Sequence, residues 1–249
     1  MTGHAALLEV KCASRSFGGV VAIKNVSFSV AANEVVGLIG PNGAGKTTLF
    51  NLISGLVPPT GGEIQLDGQS ILGLRPDQIC ARGVFRTFQS ASLLSGMTVW
   101  DNVHVASLFR TAARTKDQSA AACTRQALEF CELDHLKDDL AETLSIGDQK
   151  RTEIARALAS DPLLLMTDEI LAGLNPTDGQ RILGILRNIR QLGISIIFVE
   201  HDMRSVMSLS DRVVVIAQGE KLYEGTPTEV ARSPEVISVY LGGRYAQRV

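Results

Sequence analysis

No stretch of this sequence is long and apolar enough to cross a bilayer. Its longest apolar runs, 194–199 and 213–217, fall far short of the roughly 20 residues a spanning helix needs. A membrane role would therefore need another chain to do the spanning. There is no block of one charge either: 24 basic and 26 acidic side chains are intermixed, for a formal net charge of −2. Nothing here would neutralise a run of phosphates, so nucleic acid is not an expected partner. Cysteine is scarce, and Cys12, Cys80, Cys123 and Cys131 show neither C-x-x-C spacing nor a Cys/His ligand pattern. A chain of 249 residues can bury a core without disulfide staples, so the four read as buried thiols in a reducing cytosol. Cys123 and Cys131 are spaced to share one helix face. The opening residues, MTGHAALLEVKCAS, lack the basic region and sustained apolar region of a secretory leader, and export is not expected. Internal repeats and low-complexity segments are missing as well.

What is present is a rhythm of short buried strands. β-branched runs at 7–13, 21–30, 35–40 and 63–67 are bounded by Gly, Asn or Pro, which makes the N-terminal part strand-rich. From Thr98 to about Phe130 the pattern turns helical and Ala-rich, interrupted by the polar stretch TAARTKDQSA. Beyond it, apolar runs 163–167, 194–199 and 213–217 alternate with helical stretches 149–159 and 177–191, the βαβ rhythm of a parallel sheet. The expected fold is α/β, with an antiparallel β addition and a helical subdomain.

The strongest chemical signal is Gly40-Pro41-Asn42-Gly43-Ala44-Gly45-Lys46-Thr47-Thr48, which follows the apolar run Val35–Ile39 and precedes a helical pattern. It matches the P-loop pattern G-x-x-x-x-G-K-[ST] in the required strand–loop–helix setting. Glycines let the backbone wrap close to phosphate oxygens, successive N–H groups form an anion nest, and the helix N-terminus adds partial positive charge. Lys46 is placed to reach the β- and γ-phosphates of a nucleotide and Thr47 to offer its hydroxyl to Mg²⁺, while Thr48 packs or bonds the α-phosphate. A second component is expected at the end of a neighbouring buried strand, and Leu163-Leu164-Leu165-Met166-Thr167-Asp168-Glu169 supplies two acids. Asp168 fits the Mg²⁺-side carboxylate and Glu169 the base that polarises an attacking water. Paired acids also occur at strand ends simply where a chain turns to solvent. The P-loop is what favours the functional reading.

Leu144-Ser145-Ile146-Gly147-Asp148-Gln149 narrows the field, because it leads into a helix shortly before the acidic strand. Ser145 is a good N-cap, and Gly147 permits close backbone approach at a helix N-terminus, a second anion site. These residues resemble the signature that defines the ATP-binding-cassette (ABC) ATPases. The resemblance covers about Leu7 to Gly242 and implies one nucleotide-binding domain. Its RecA-like core with β subdomain would span about 1–89 and 144–225, its helical subdomain about 90–143, and a C-terminal helical tail about 226–249. It further implies ATP and Mg²⁺ as ligands and a head-to-tail pair of such domains, the same chain or a different one. The signature of one, with Ser145 and Gly147, would meet the γ-phosphate held by the P-loop of the other. Three more positions fit. Gln89 matches the glutamine that touches Mg²⁺ or water, His201 the histidine that hydrogen-bonds the γ-phosphate, and Phe17 the aromatic that stacks on adenine. Taken singly, each has a plainer reading: a solvated Gln, a structural His, a core Phe. His4, His104 and His135 lie in no motif.

Finer features look like the ATPase subunits of branched-chain amino-acid importers: Phe17-Gly18-Gly19-Val20-Val21-Ala22, Arg86-Thr87-Phe88-Gln89, Met97-Thr98-Val99 with Asn102-Val103, Ala172-Gly173-Leu174-Asn175-Pro176, Glu200-His201-Asp202-Met203 and Tyr240-Leu241-Gly242. Subunits for urea or short amides, and those that extract lipopolysaccharide, share parts of the pattern. The resemblance places the chain peripherally on the cytoplasmic face of the inner (cell) membrane. Its partners would be transmembrane permease subunits and, indirectly, a periplasmic solute-binding protein. Residues 90–97 with Trp100, offering Leu93, Leu94 and Met97, would lie near the groove that receives a helix of the permease, or serve partly as core. Soluble ABC switch proteins usually add coiled coils, zinc modules or a second cassette, none of which appears here. Three departures bear on rate: Asp148 stands where Gln is usual, Ile170-Leu171 replace a Pro and a small residue, and Thr167 interrupts the apolar strand. They imply slower or more partner-dependent hydrolysis, or a chiefly regulatory cassette.

Overall fold

The computed structural model describes residues 6–87, 93–111 and 115–241. Along the chain come strands β1 (Ala6–Phe17), β2 (Val20–Ala31) and β3 (Val35–Ile39), helix α1 (Lys46–Ile53), strands β4 (Gly61–Leu66) and β5 (Gln69–Ser70), helix α2 (Pro76–Ala81) and strand β6 (Val84–Arg86). Helices α3 (Val99–Leu108), α4 (Ala120–Phe130) and α5 (Ile146–Ala159) follow, then strand β7 (Leu164–Asp168), helix α6 (Pro176–Gln191), strand β8 (Ser195–Val199) and helix α7 (Met203–Leu209). Strands β9 (Arg212–Ala217) and β10 (Glu220–Gly225) and helices α8 (Pro227–Arg232) and α9 (Pro234–Leu241) close the sequence of elements. The chain divides into two units, Met1–Ile79 with Ser195–Val249, and Cys80–Ile194.

The first unit holds two kinds of sheet. In the antiparallel one the order is β2-β1-β4-β5, and its strands alternate buried and exposed positions because only one face is covered. That alternation breaks phase within β1: Leu8 and Val10 are buried, then Ala13. The cause is a bulge between Val10 and Ala13 at which Cys12 takes a left-handed φ of 49°. The second sheet places β9, β3 and β8 side by side, with β3 parallel to both neighbours and β10 antiparallel to β9. β3 and β8 are buried along their whole length. Continuous apolar runs, rather than alternating ones, are what a strand buried on both faces requires.

The second unit carries a parallel pair, β6 with β7, and the helical segment. α3 starts with a capping box between Thr98 and Asp101, and the buried Asn102 fixes the preceding turn through Leu94 N–H (2.7 Å), Leu94 O (3.1 Å) and Thr98 O (2.9 Å). α4 is capped by Ser119. α6 opens with Asn175 as N-cap and Pro176 in its first turn, and it buries Ile182, Leu183, Ile185, Leu186 and Ile189, one stripe at helical spacing. The architecture is the expected α/β one: mainly parallel buried strands, an antiparallel β subdomain and a helical part. One expectation fails. Cys123 and Cys131 are buried, but Cys12 is exposed and Cys80 only half-buried. The bulge turns Cys12 outward, and sequence spacing could not reveal the bulge.

Candidate active site

β3 delivers the chain to the loop that begins at Gly40. A Cβ at Gly40 would lie 2.1 Å from the carbonyl oxygen of Ile216 in β9, so no larger residue fits. The loop turns on the bond from Ala44 N–H to Pro41 O (3.1 Å), and Ala44 O accepts from Gly219 N–H (3.0 Å), whose own carbonyl takes Lys24 N–H (2.8 Å). The P-loop is thus held between β2 and the β9–β10 turn. Gly45, left-handed at φ 105°, is the N-cap of α1, whose first turn carries no acid and no side-chain cap. A helix start of that kind presents its N–H groups to an anion. Lys46 is buried, and its Nζ donates to Gly40 O (2.6 Å) and Pro41 O (3.1 Å), holding the ammonium across the loop. Thr47 is exposed and Thr48 half-buried. From α9, the half-exposed Tyr240 reaches the same loop. Burial pushes its phenol up to about 12, opposed by the Gly40 N–H that donates to its oxygen.

Phe17 ends β1 on the surface, 45% exposed, which removes the core reading of this ring. The Arg15 guanidinium covers one face, 4.6 Å from the ring centroid. His201 follows β8 and is exposed. Because Leu38 of β3 is in register with Val199 of β8, the chain just past each strand, Gly40 on one side and His201 on the other, emerges at the same sheet edge. Ligands of open α/β sheets bind at such carboxyl ends. Asp202 next to it caps α7 by accepting from the Ser205 hydroxyl (2.6 Å) and N–H (3.1 Å).

In the second unit, β7 ends in the buried Asp168 and the half-buried Glu169. Arg86, the last residue of β6, donates from Nη2 to Asp168 Oδ2 at 2.8 Å, and both side chains are buried. Glu169 has a left-handed φ of 52° and leads a turn closed by Ala172 N–H on its carbonyl (3.1 Å), with Ile170 fully buried behind it. Ser145 caps α5 through the Asp148 N–H (3.1 Å), and its own hydroxyl donates to Asp148 Oδ2 (2.7 Å). Asp148 also pairs with Arg151, which donates to the carbonyls of Cys131 (3.0 Å) and Glu132 (2.8 Å). Burial works against ionisation of Asp148, yet the bonds from Ser145 and Arg151 hold its carboxyl below the ordinary range. Gly147 is buried, and a Cβ there would meet the Asp178 carboxylate of α6 at 2.9 Å. Gln89 and Ser90 lie outside the described residues. Of the apolar positions expected near the permease, Leu94 is exposed, and Leu93, Met97 and Trp100 are half-buried, Trp100 stacking on His104 at 5.9 Å.

Asp168 and Thr47 each offer a hard oxygen of the kind magnesium takes, and among the described residues no group of three His, Cys, Asp or Glu could hold a metal by itself. A cation that takes most of its oxygens from nucleotide phosphates and water needs no such group. Neither spacing nor motif singles out Arg86, Gly219 or Tyr240, and nothing in the spelling of Arg-Thr-Phe-Gln shows which carboxylate the Arg86 side chain meets.

Comparison with known proteins agrees with this geometry. The family described as ABC transporter matches residues 23–172, and that described as branched-chain amino acid ATP-binding cassette transporter matches residues 220–246. The chain is 41% identical to the high-affinity branched-chain amino acid transport ATP-binding proteins BraF of Pseudomonas aeruginosa and LivG of Escherichia coli, over 95% of its length and 98% of theirs. Identity to the lipopolysaccharide export system ATP-binding protein LptB of Escherichia coli is 33% over the same shares. Among solved structures, the ADP conformation of MJ1267, an ATP-binding cassette of an ABC transporter, superposes with a TM-score of 0.86 at 29% identity, covering 95% of this chain and 99% of that one. With glycines packed against backbone around the phosphate loop, and with that likeness spanning nearly the whole chain, the protein belongs to the ATP-binding subunits of ABC transporters.

Proposed function

We infer that this ABC ATPase energises import of branched-chain or related amino acids. The subunit would sit peripherally on the cytoplasmic face of the inner membrane, beside transmembrane permease subunits fed by a periplasmic solute-binding protein. The match of residues 220–246 to the branched-chain family carries the transporter reading, because that segment lies outside the part common to ABC ATPases at large. Among the described residues no helix is long and apolar enough to cross a membrane, consistent with a borrowed channel. The 33% identity to LptB supports lipopolysaccharide extraction as the second reading.

The chemistry follows from the residues. Phe17 stacks on adenine with its free face, steadied from behind by Arg15. Gly40 to Thr48 enclose the phosphates with N–H groups, and Lys46 exchanges its loop carbonyls for phosphate oxygens. Thr47, Asp168 and Gln89 would hold Mg²⁺, which when bound neutralises charge on the β- and γ-phosphates. Glu169 accepts a proton from the attacking water, and His201 hydrogen-bonds the γ-phosphate. Ser145 and Gly147 would grip that phosphate from a second cassette, of the same or a different chain. Pair closure on ATP and reopening after phosphate loss then move the permease by population shift. A solved dimer of the cassette MJ0796 bound to ADP and Pi, at 26% identity and a TM-score of 0.76, supports the pairing.

The test of turnover is steady-state ATPase of the wild type beside Glu169→Gln. A loss of two or more orders of magnitude is expected of a catalytic base, about 10²–10⁴-fold. Equal rates would instead make the chain a nucleotide-binding regulator. Cargo is read by isolating the intact membrane complex and measuring uptake of leucine, isoleucine and valine into vesicles loaded with ATP.

A further inference from the structure

Asp168 does not stand alone at the end of its strand. β6 and β7 are parallel, Arg86 is in register with Met166, and Thr87 N–H donates to Met166 O (2.9 Å). Asp168 is two residues beyond Met166, so it lies on the same face as Arg86, diagonally across the pair. Their side chains are 8% and 7% exposed and joined at 2.8 Å. A carboxylate taken out of water this far needs a compensating cation, and a guanidinium that ends the neighbouring strand provides one. The same carboxylate is the one read above as the Mg²⁺-side acid. Two cations cannot both take full advantage of one buried carboxylate, since their mutual repulsion is weakly screened there.

We propose that Arg86 is a positioning residue that competes with the divalent ion for Asp168, and so sets how much Mg²⁺ the protein needs to bind nucleotide. The inference rests on Asp168 as the metal-side carboxylate. Arg86 holds Asp168 aimed and charge-balanced, while the end of β6 stays tied to β7 through the Thr87 N–H bond to Met166 O. Arrival of metal is thereby opposed by the Arg86–Asp168 ion pair, with no movement of the sheet required.

The experiment is a Mg²⁺ titration of fluorescent ATP binding to the full chain, repeated with Mn²⁺ detected directly by its paramagnetic resonance. Arg86→Gln is expected to bind the divalent ion about tenfold more tightly, the factor that corresponds to 1.4 kcal/mol, while nucleotide affinity in EDTA stays within about twofold. Unchanged or weaker divalent binding would overturn the proposal, because a merely structural Arg86 alters stability and not the metal requirement. Asp168→Asn separates the layers. If it abolishes the Mg²⁺ dependence and Arg86→Gln leaves it alone, the competition is wrong and the site reading stands; if Asp168→Asn has no effect, the site reading fails and takes the proposal with it. Removing one partner of a buried pair can unfold a protein, so a wild-type measurement stands beside the variants. The guanidinium NMR signal of Arg86, assigned by its loss in Arg86→Lys, should shift on adding MgADP and not on adding ADP in EDTA. A signal indifferent to the metal would equally overturn it.

Discussion

Glu169 sits in a backbone conformation uncommon for a residue with a side chain, φ 52°, and the residue after it explains how. A proline at 170 would crowd the helical regions of the residue before it and push Glu169 toward extended backbone. Ile170 imposes no such restriction and is itself fully buried. The proposed base therefore starts a turn in which Ile170, unlike a proline, leaves the backbone of Glu169 unrestricted. Ile170→Pro is expected to re-aim Glu169 and raise the ATPase rate of the assembled complex by about threefold or more, roughly 0.6 kcal/mol of barrier; an unchanged rate in both Ile170→Pro and an Ile170→Ala control would sink the idea that this loop sets the rate. Thr167, one residue before the acids, is a different matter. Among the described residues its buried Oγ1 has no hydrogen-bond partner. Stranding a hydroxyl costs about 1–3 kcal/mol, and an apolar group of the same shape avoids that cost. Thr167→Val should raise stability by about 1 kcal/mol in urea unfolding, with nucleotide affinity unchanged.

Helix α7 shows how an element's start serves the site. Asp202 follows His201 directly and caps the helix with both carboxylate oxygens, to Arg204 N–H (3.3 Å) and Ser205 N–H (3.1 Å). Replacement by Ala should cost about 1 kcal/mol and loosen the hold on His201, visible as a raised KM for ATP. The Ser205 hydroxyl first, then the backbone N–H groups, hold the Asp202 carboxyl below its ordinary value of 3.8. A lowered carboxyl gives stability that is complete above the unfolded value and disappears as pH falls through the folded one. Asp202→Asn should therefore flatten the acid limb of a stability profile below about pH 4, matching the wild type in acid and falling below it at neutral pH, where the ionised carboxylate contributes in full. Starts like this were legible in the sequence, since Asp202, Ser145 and Asn175 are cap residues before helical periodicity, and fully apolar strands announce themselves. The bulge at Cys12 and the ion pair at Arg86 were not. Both arise from register between strands, which one-dimensional spacing does not contain.

At the scale of the whole molecule, the two helix ends expected to face phosphate are electrically unequal. α1 begins with Lys46 and no acid, whereas α5 carries Asp148 in its first turn, bonded to the very Ser145 hydroxyl that should meet a γ-phosphate. Arg151 offsets the charge from the far side without removing it from the helix start. A carboxylate about 4 Å from an incoming anion opposes it by roughly 1 kcal/mol in bulk water, and by more where burial lessens screening. In a head-to-tail pair of this chain with itself the term enters twice, so self-pairing should be weak. Pairing with a different cassette, whose signature lacks the acid, meets it only once. Sedimentation velocity of Glu169→Gln, where ATP persists, measures this directly. ATP and not ADP should drive pairing, and adding Asp148→Gln should tighten the self-pair by about tenfold, or 1.4 kcal/mol, with the increment shrinking in high salt as an electrostatic effect must. Equal pairing with Asp or Gln at 148 would mean that Ser145 reaches the phosphate unhindered, and the slow hydrolysis expected of this chain would have to come from Thr167 and Ile170-Leu171, the departures that flank the acidic pair.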